Sequence, residues 1–215
     1  IDVGEEKDGF VHYLDLGTNY NSVMKSVKLA MNGDPDAATL KGFKPEPILE
    51  KNGNLTNVLK VGQLVLAQVA KEPISTKGPK LTGDISFAGR YLVLTPFVTR
   101  ISISQKIKGA EERGRLRRLI QSIKPDNFGV IVRTIAEGKG VEELDADLRQ
   151  LLAQWQELSD RLKHVTGPSK VISELSTTSA LLRDVLTDDF NEIYVDEEKV
   201  YNEVCQYIRT IAPTK

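Results

Sequence analysis

Eight apolar residues, Val141, Leu144, Leu148, Leu151, Trp155, Leu158, Leu162 and Val165, recur at spacings of 3-4-3-4-3-4-3. That period fits one face of an α-helix and no strand. It predicts one long helix over about 141–165, stopped at Gly167-Pro168. A stripe this complete must be covered. The cover is either the rest of this chain or a second copy in a coiled coil.

The segments before the stripe read as strands and a helix. Residues 129–134, Gly-Val-Ile-Val-Arg-Thr, are β-branched and bounded by glycine turns, the mark of a buried strand. Residues 90–95, closed by Pro96, and the alternating 101–104 read as two more strands. A basic helix is expected over 109–123. Nearer the N-terminus, strands are expected over 9–13 and 63–69. Between them residues 19–59 look like an insertion with a helix over 22–31. Short strands around an irregular insertion suggest a small barrel. The tail reads as a helix over 178–186, a strand over 192–195 and a helix over 197–211. The expected class is therefore α+β.

The chain has 215 residues with a formal net charge of -1, 40% hydrophobic and 27% charged. These values exclude wholesale disorder. No run approaches the roughly 18 apolar residues of a membrane span, so no membrane partner is expected. No charged-then-apolar signal peptide opens the chain. The single cysteine, Cys205, excludes an internal disulfide framework and a cysteine-based zinc site. A reducing, cytoplasmic setting follows as the expectation. Ile1-Asp2-Val3-Gly4 reads as the middle of a strand, so a piece of a longer protein is expected.

Near-neutral charge hides a segregation. Residues 71–118 hold eleven Lys and Arg against four acids, and residues 174–203 hold nine acids against two bases. A segregated basic half is the footprint of a polyanion partner, or else a face that pairs with the acidic one.

Enzyme signatures are sparse. His12 and His164 form no motif, and no phosphate-loop, dinucleotide or nucleophile-elbow pattern occurs. The acids Asp188-Asp189 and Asp196-Glu197-Glu198 fall at element boundaries, where they serve helix starts rather than a metal. Binding features are better marked. The turn 76–82 places Lys77 and Lys80 where they can meet phosphates. Phe10, after Gly9, is either a base-stacking aromatic or core. Arg133-Thr134 ends the buried strand, and a guanidinium beside a hydroxyl suits a terminal phosphate.

The ordered stretches Asp2-Val-Gly…Gly9-Phe10, Val61-Gly-Gln-Leu-Val-Leu-Ala-Gln-Val69, Lys77-Gly-Pro-Lys-Leu-Thr82, Ile85-Ser-Phe-Ala-Gly-Arg-Tyr-Leu-Val-Leu94, Gly129-Val-Ile-Val-Arg-Thr134 and Glu192-Ile-Tyr-Val-Asp196 resemble the ribonuclease E/G family, in the manner of its bacterial ribonuclease G branch. The resemblance covers nearly everything outside residues 19–59. It implies single-strand-specific endoribonucleases that use Mg²⁺, often prefer RNA with a 5′ monophosphate, and act in rRNA and mRNA processing and decay. By the same resemblance, residues 1–82 would be an S1 domain, an OB-type barrel. Residues 83–165 would be a mixed α/β 5′-sensor domain, and residues 170–215 part of a ribonuclease H-like subdomain. Phe10, Lys77, Lys80 and Lys106 would contact RNA. Gly89, Val93, Arg133 and Thr134 would hold the 5′ phosphate. Where the family usually shows two Arg after Ile-Ser, this chain has Gln105-Lys106. The metal-binding carboxylates would lie outside this chain, so no catalytic or metal residue is expected in it, and the chain alone would not cleave. Homo-oligomer contacts would likewise lie in the missing parts. The competing readings are a stand-alone S1-type RNA-binding module and a structural dimer built on the stripe.

Overall fold

In a computed structural model the chain is described over residues 1–173, 176–186 and 190–211. It divides into two units, Ile1–Ile172 and Ser173–Lys215. The first unit opens with helices α1 (Tyr20–Met31), α2 (Asp36–Thr39) and α3 (Leu55–Val58) and strands β1 (Gln68–Lys71) and β2 (Lys80–Thr82). Then come β3 (Phe87–Ala88), β4 (Leu92–Pro96), β5 (Ile101–Ile103), α4 (Ala110–Ile123), β6 (Phe128–Val132) and α5 (Val141–Leu162).

The main sheet has the order β3-β4-β6-β5. All pairs are antiparallel except β5 with β6, which run parallel. Their connection is α4, so β5-α4-β6 is a crossover unit. Alternation sets the two faces: Leu92, Leu94, Val130 and Val132 are buried, whereas Val93 and Ile131 pair on the opposite face.

The heptad stripe is core. Leu144, Leu148, Leu151, Trp155, Leu158 and Leu162 are all buried in one cluster with the sheet residues. Trp155 meets Phe87, Phe97 and Phe128 edge-on, with ring centroids 6.2, 5.7 and 6.0 Å away. Helices α1 and α2 also pack on α5, through the buried Val23, Val27, Ala30 and Ala37. The covering partner of the stripe is therefore this chain, which removes the coiled-coil reading of that face. Residues 19–59 are a structural part of the core. Asn127, at a φ of 61° that asparagine tolerates, donates through Nδ2 to the carbonyls of Leu40 and Phe43, each at 3.0 Å.

The N-terminal expectation is only partly met. β1 and β2 pair antiparallel, Gln68 opposite Thr82, with a bulge between Val69 and Lys71. The strand expected over 9–13 contracts to a single parallel bridge, Phe10 with Lys80. Beyond it, Tyr13–Leu16 turns into a 3-10 helix that buries Leu16 against Tyr20 and Met24. The strand expected over 63–69 starts only at Gln68, where a partner becomes available. Among the described residues these pieces do not close a barrel. Two short strands and one bridge cannot wrap the way a five-stranded OB barrel does.

The second unit contains α6 (Thr177–Val185) and α7 (Glu198–Ile211), packed through Leu182, Val204 and Tyr207. Ser176 caps α6 by accepting from the Ser179 N–H, and Glu203 of α7 accepts from both serine hydroxyls. The expected strand over 192–195 is irregular backbone, because no neighbouring strand offers it a ladder. Glu198 does stand in the first turn of α7. The pair Asp188-Asp189 lies outside the described residues. The whole is a mixed α+β structure. Among the described residues no helix is long and apolar enough to cross a membrane.

Candidate functional site

The parallel pair ends side by side, with Ile103 of β5 opposite Val132 of β6. The next residues along each chain are Ser104 on one side and Arg133 and Thr134 on the other. In open α/β sheets, ligands bind at such carboxyl ends because the loops diverge there. The two loops are joined: the Ser104 and Thr134 hydroxyls are 2.8 Å apart. The Ser104 loop is held from below by Arg113 of α4, whose Nη1 donates to the Ser104 and Ile107 carbonyls at 2.7 and 3.1 Å. Lys106 sits on this loop with its side chain exposed, next to an exposed Gln105.

A second wall comes from the turn that joins β3 to β4. The Gly89 N–H donates to the Leu92 carbonyl at 2.8 Å and closes the turn. Arg133 is tied to it twice: its backbone N–H donates to the Tyr91 carbonyl and its Nη1 to the Gly89 carbonyl, both at 2.8 Å. Val93 follows directly, opposite Ile131. Of the four residues expected around a phosphate, Gly89 lies in the β3–β4 turn, Val93 on β4, and Arg133 and Thr134 just past the end of β6, where Thr134 starts a 3-10 helix.

Asp147 of α5 was not among the residues expected from the sequence. It is only 8% exposed. Its carboxylate accepts the backbone N–H groups of Arg90, Tyr91 and Leu92 at 2.9, 2.9 and 2.8 Å. Burial pushes this carboxyl up, while the three N–H donors and the nearby Arg133 charge hold it down. Gly89 has to be glycine here, since a Cβ would stand 2.6 Å from both Asp147 oxygens. The signal that could have exposed Asp147 is its place on the stripe, three residues after Leu144 and four before Leu151. An acid at a core position requires a partner.

The loop after Thr134 is braced by an ion pair. Arg115 grips Glu112 through Nε and Nη2 at 2.6 and 2.7 Å, and Glu112 also accepts the Gly138 N–H at 2.8 Å. The Arg115 guanidinium and that N–H hold the Glu112 carboxyl down at about 2. Arg115 further donates to the Lys139 carbonyl at 2.9 Å. Lys139 and Arg90 both approach the Tyr91 ring, at 5.7 and 5.6 Å from its centre.

The N-terminal residues form their own cluster around β2. Phe10 is 40% exposed and meets His12 edge-on at 6.0 Å. Lys77 is exposed at the end of a tight turn closed by Ile74. Lys80 pairs with Asp15 at 2.9 Å, which holds the Asp15 carboxyl below its ordinary value. Among the described residues no group of three or more His, Cys, Asp or Glu is placed to hold a metal ion. The Mg²⁺ implied by the resemblance therefore finds no fitting donor set in them.

The family model described as "Ribonuclease E/G family" matches residues 86–215. The chain belongs to the ribonuclease E/G family. It is 34% identical over 210 residues to the ribonuclease E of Nostoc sp., covering 97% of this chain and 27% of that protein. It is 34% identical over 197 residues to the ribonuclease E of Synechocystis sp., covering 91% and 25%. It is 30% identical over 213 residues to the ribonuclease G of Haemophilus influenzae, covering 99% and 40%. Proteins of both names are thus similar at comparable identity, and these values do not single out the ribonuclease G branch. The chain spans between a quarter and two-fifths of the length of these curated relatives.

Proposed function

We propose that this chain is the RNA-binding and 5′-monophosphate-sensing portion of a single-strand-specific endoribonuclease, a hydrolase acting in rRNA and mRNA processing and decay. The observation that carries this reading is the junction of Arg133-Thr134, Ser104 and the Gly89 turn at the carboxyl ends of the parallel strands.

The chemistry follows from the groups present. The Gly89 carbonyl fixes the plane of the Arg133 guanidinium, so the cation is oriented before a ligand arrives. The Thr134 and Ser104 hydroxyls can turn their protons from each other toward a phosphate oxygen. Lys106 adds an exposed charge on the adjoining loop. A terminal phosphate held there would fix one end of the strand and present the rest to a nuclease centre elsewhere in the parent, a proximity effect. In this reading residues 1–82 supply an S1-type surface of OB ancestry, on which Phe10 stacks a base and Lys77 meets the backbone. Lys80 reaches RNA by exchanging Asp15 for phosphate. Residues 83–165 form the 5′-sensor, and residues 170–215 belong to a ribonuclease H-like subdomain. Mg²⁺-dependent cleavage and homo-oligomer contacts are assigned to other parts of the parent, which works in the bacterial cytoplasm. The chain by itself binds without cleaving.

The test is binding of one short single-stranded RNA, prepared with a 5′ monophosphate or a 5′ hydroxyl, to the wild-type chain and to Arg133→Ala. Charge-assisted hydrogen bonds of about 1.5–3 kcal/mol predict a preference for the monophosphate of roughly ten- to a hundred-fold. Arg133→Ala should bring the two RNAs to parity and leave the hydroxyl form within about two-fold of wild type. Equal binding of both RNAs by the wild type would contradict the reading.

A further inference from the structure

Three features outside the binding residues invite a role: the cleft of about 550 Å³ lined by residues 161 and 164–171, the acidic pair Asp15 and Asp84, and the buried Asp147. The cleft is lined by exposed and half-buried residues at the end of α5 and in the loop after it, and Asp15 already has Lys80. Asp147 carries the argument further.

A carboxylate on the sheet-facing side of a helix needs a reason to be there, since its desolvation works against folding. Here the reason is geometric. One carboxylate gathers three successive N–H groups, of Arg90, Tyr91 and Leu92. With those donors turned inward, the Gly89 carbonyl is left facing outward, where Arg133 Nη1 donates to it at 2.8 Å. Gly89 lets the carboxylate approach its Cα, which any Cβ would block.

We propose that Asp147 is a positioning residue for terminal-phosphate recognition: it folds the 89–92 turn around its carboxylate, and the turn aims the Arg133 guanidinium. The inference rests on the reading of Arg133-Thr134 as the phosphate site. Asp147 itself touches no ligand. Its effect passes from α5 through the turn to the guanidinium, and it should appear in discrimination between RNA termini rather than in general RNA affinity.

Asp147→Asn is the direct test. Asparagine keeps the shape but offers one acceptor oxygen and turns an NH₂ toward backbone donors. The same two RNAs, 5′ monophosphate and 5′ hydroxyl, are titrated into the wild-type chain, Asp147→Asn and Arg133→Ala, after circular dichroism shows each folded. Misaligning one charge-assisted contact predicts that Asp147→Asn lowers the ratio of the two affinities by about five- to ten-fold, with hydroxyl-RNA affinity unchanged. A purely structural role would leave the ratio as in wild type. A wild-type ratio in folded Asp147→Asn, while Arg133→Ala loses it, overturns this inference and leaves the phosphate site standing. A wild-type chain without preference overturns both. If Asp147→Asn does not fold, Asp147→Ser keeps a single acceptor oxygen at the position and is read by the same ratio.

Discussion

Tyr20 and Asp147 show two outcomes for a buried polar group. The Tyr20 hydroxyl is buried and has no hydrogen-bond partner among the described residues, and burial pushes its pKa up to about 12. Asp147 is buried too, yet its oxygens accept three N–H groups. An unsatisfied buried hydroxyl costs on the order of 1 kcal/mol or more, so Tyr20→Phe should raise stability by about that amount. A urea titration measures it, and a lowered midpoint would contradict the account. The sequence made Arg133-Thr134 legible because the strand before it is strongly β-branched and ends there. It hid the partners, since Gly89 and Asp147 are brought to Arg133 only by the tertiary fold. The sequence does not decide between stacking and core for Phe10; in the structure it is 40% exposed.

Among elements, the brace between α4 and the loop after β6 gives a clear pH signature. Glu112 titrates at about 2 against an ordinary 4.5, because Arg115 and the Gly138 N–H favour its charged form. A depressed carboxyl stabilises the fold above its unfolded pKa and loses that contribution as pH falls through the folded value. Glu112→Gln should therefore cost stability at neutral pH, and the difference from wild type should shrink as pH drops from about 4.5 to about 2. Urea midpoints measured across that window check it; a difference that stays constant would contradict the assignment. The elements that the sequence announced well were those with a strong internal period, α5 and α4, or a β-branched run, β6. The stretches over 63–69 and 192–195 are rich in strand-forming apolar residues as well, but a strand exists only where a second strand offers its N–H and C=O groups. β2 offers them only from Gln68 onward. The parallel pairing of β5 and β6 was likewise invisible, because it depends on the crossover through α4.

At the scale of the molecule, the residues that looked like an insertion are what hold the first unit together. α1 and α2 lie on the stripe of α5 that the sheet leaves uncovered, so the apolar face that raised the prospect of a dimer is filled within one chain. At the carboxyl ends of the parallel strands, Arg133 is tied to Tyr91 and Gly89, Lys139 lies over the Tyr91 ring, and Lys106 stands exposed on the Ser104 loop. Under the proposed function this edge, and no other surface of the chain, receives a 5′ phosphate. The most direct measurement is an amide NMR titration of the chain with a short RNA carrying a 5′ monophosphate, repeated with the 5′ hydroxyl form. Residues 89–93, 104–106 and 133–134 should shift with the monophosphate and not with the hydroxyl. Identical shifts from both RNAs, or shifts confined to the neighbourhood of Phe10 and Lys77, would contradict it.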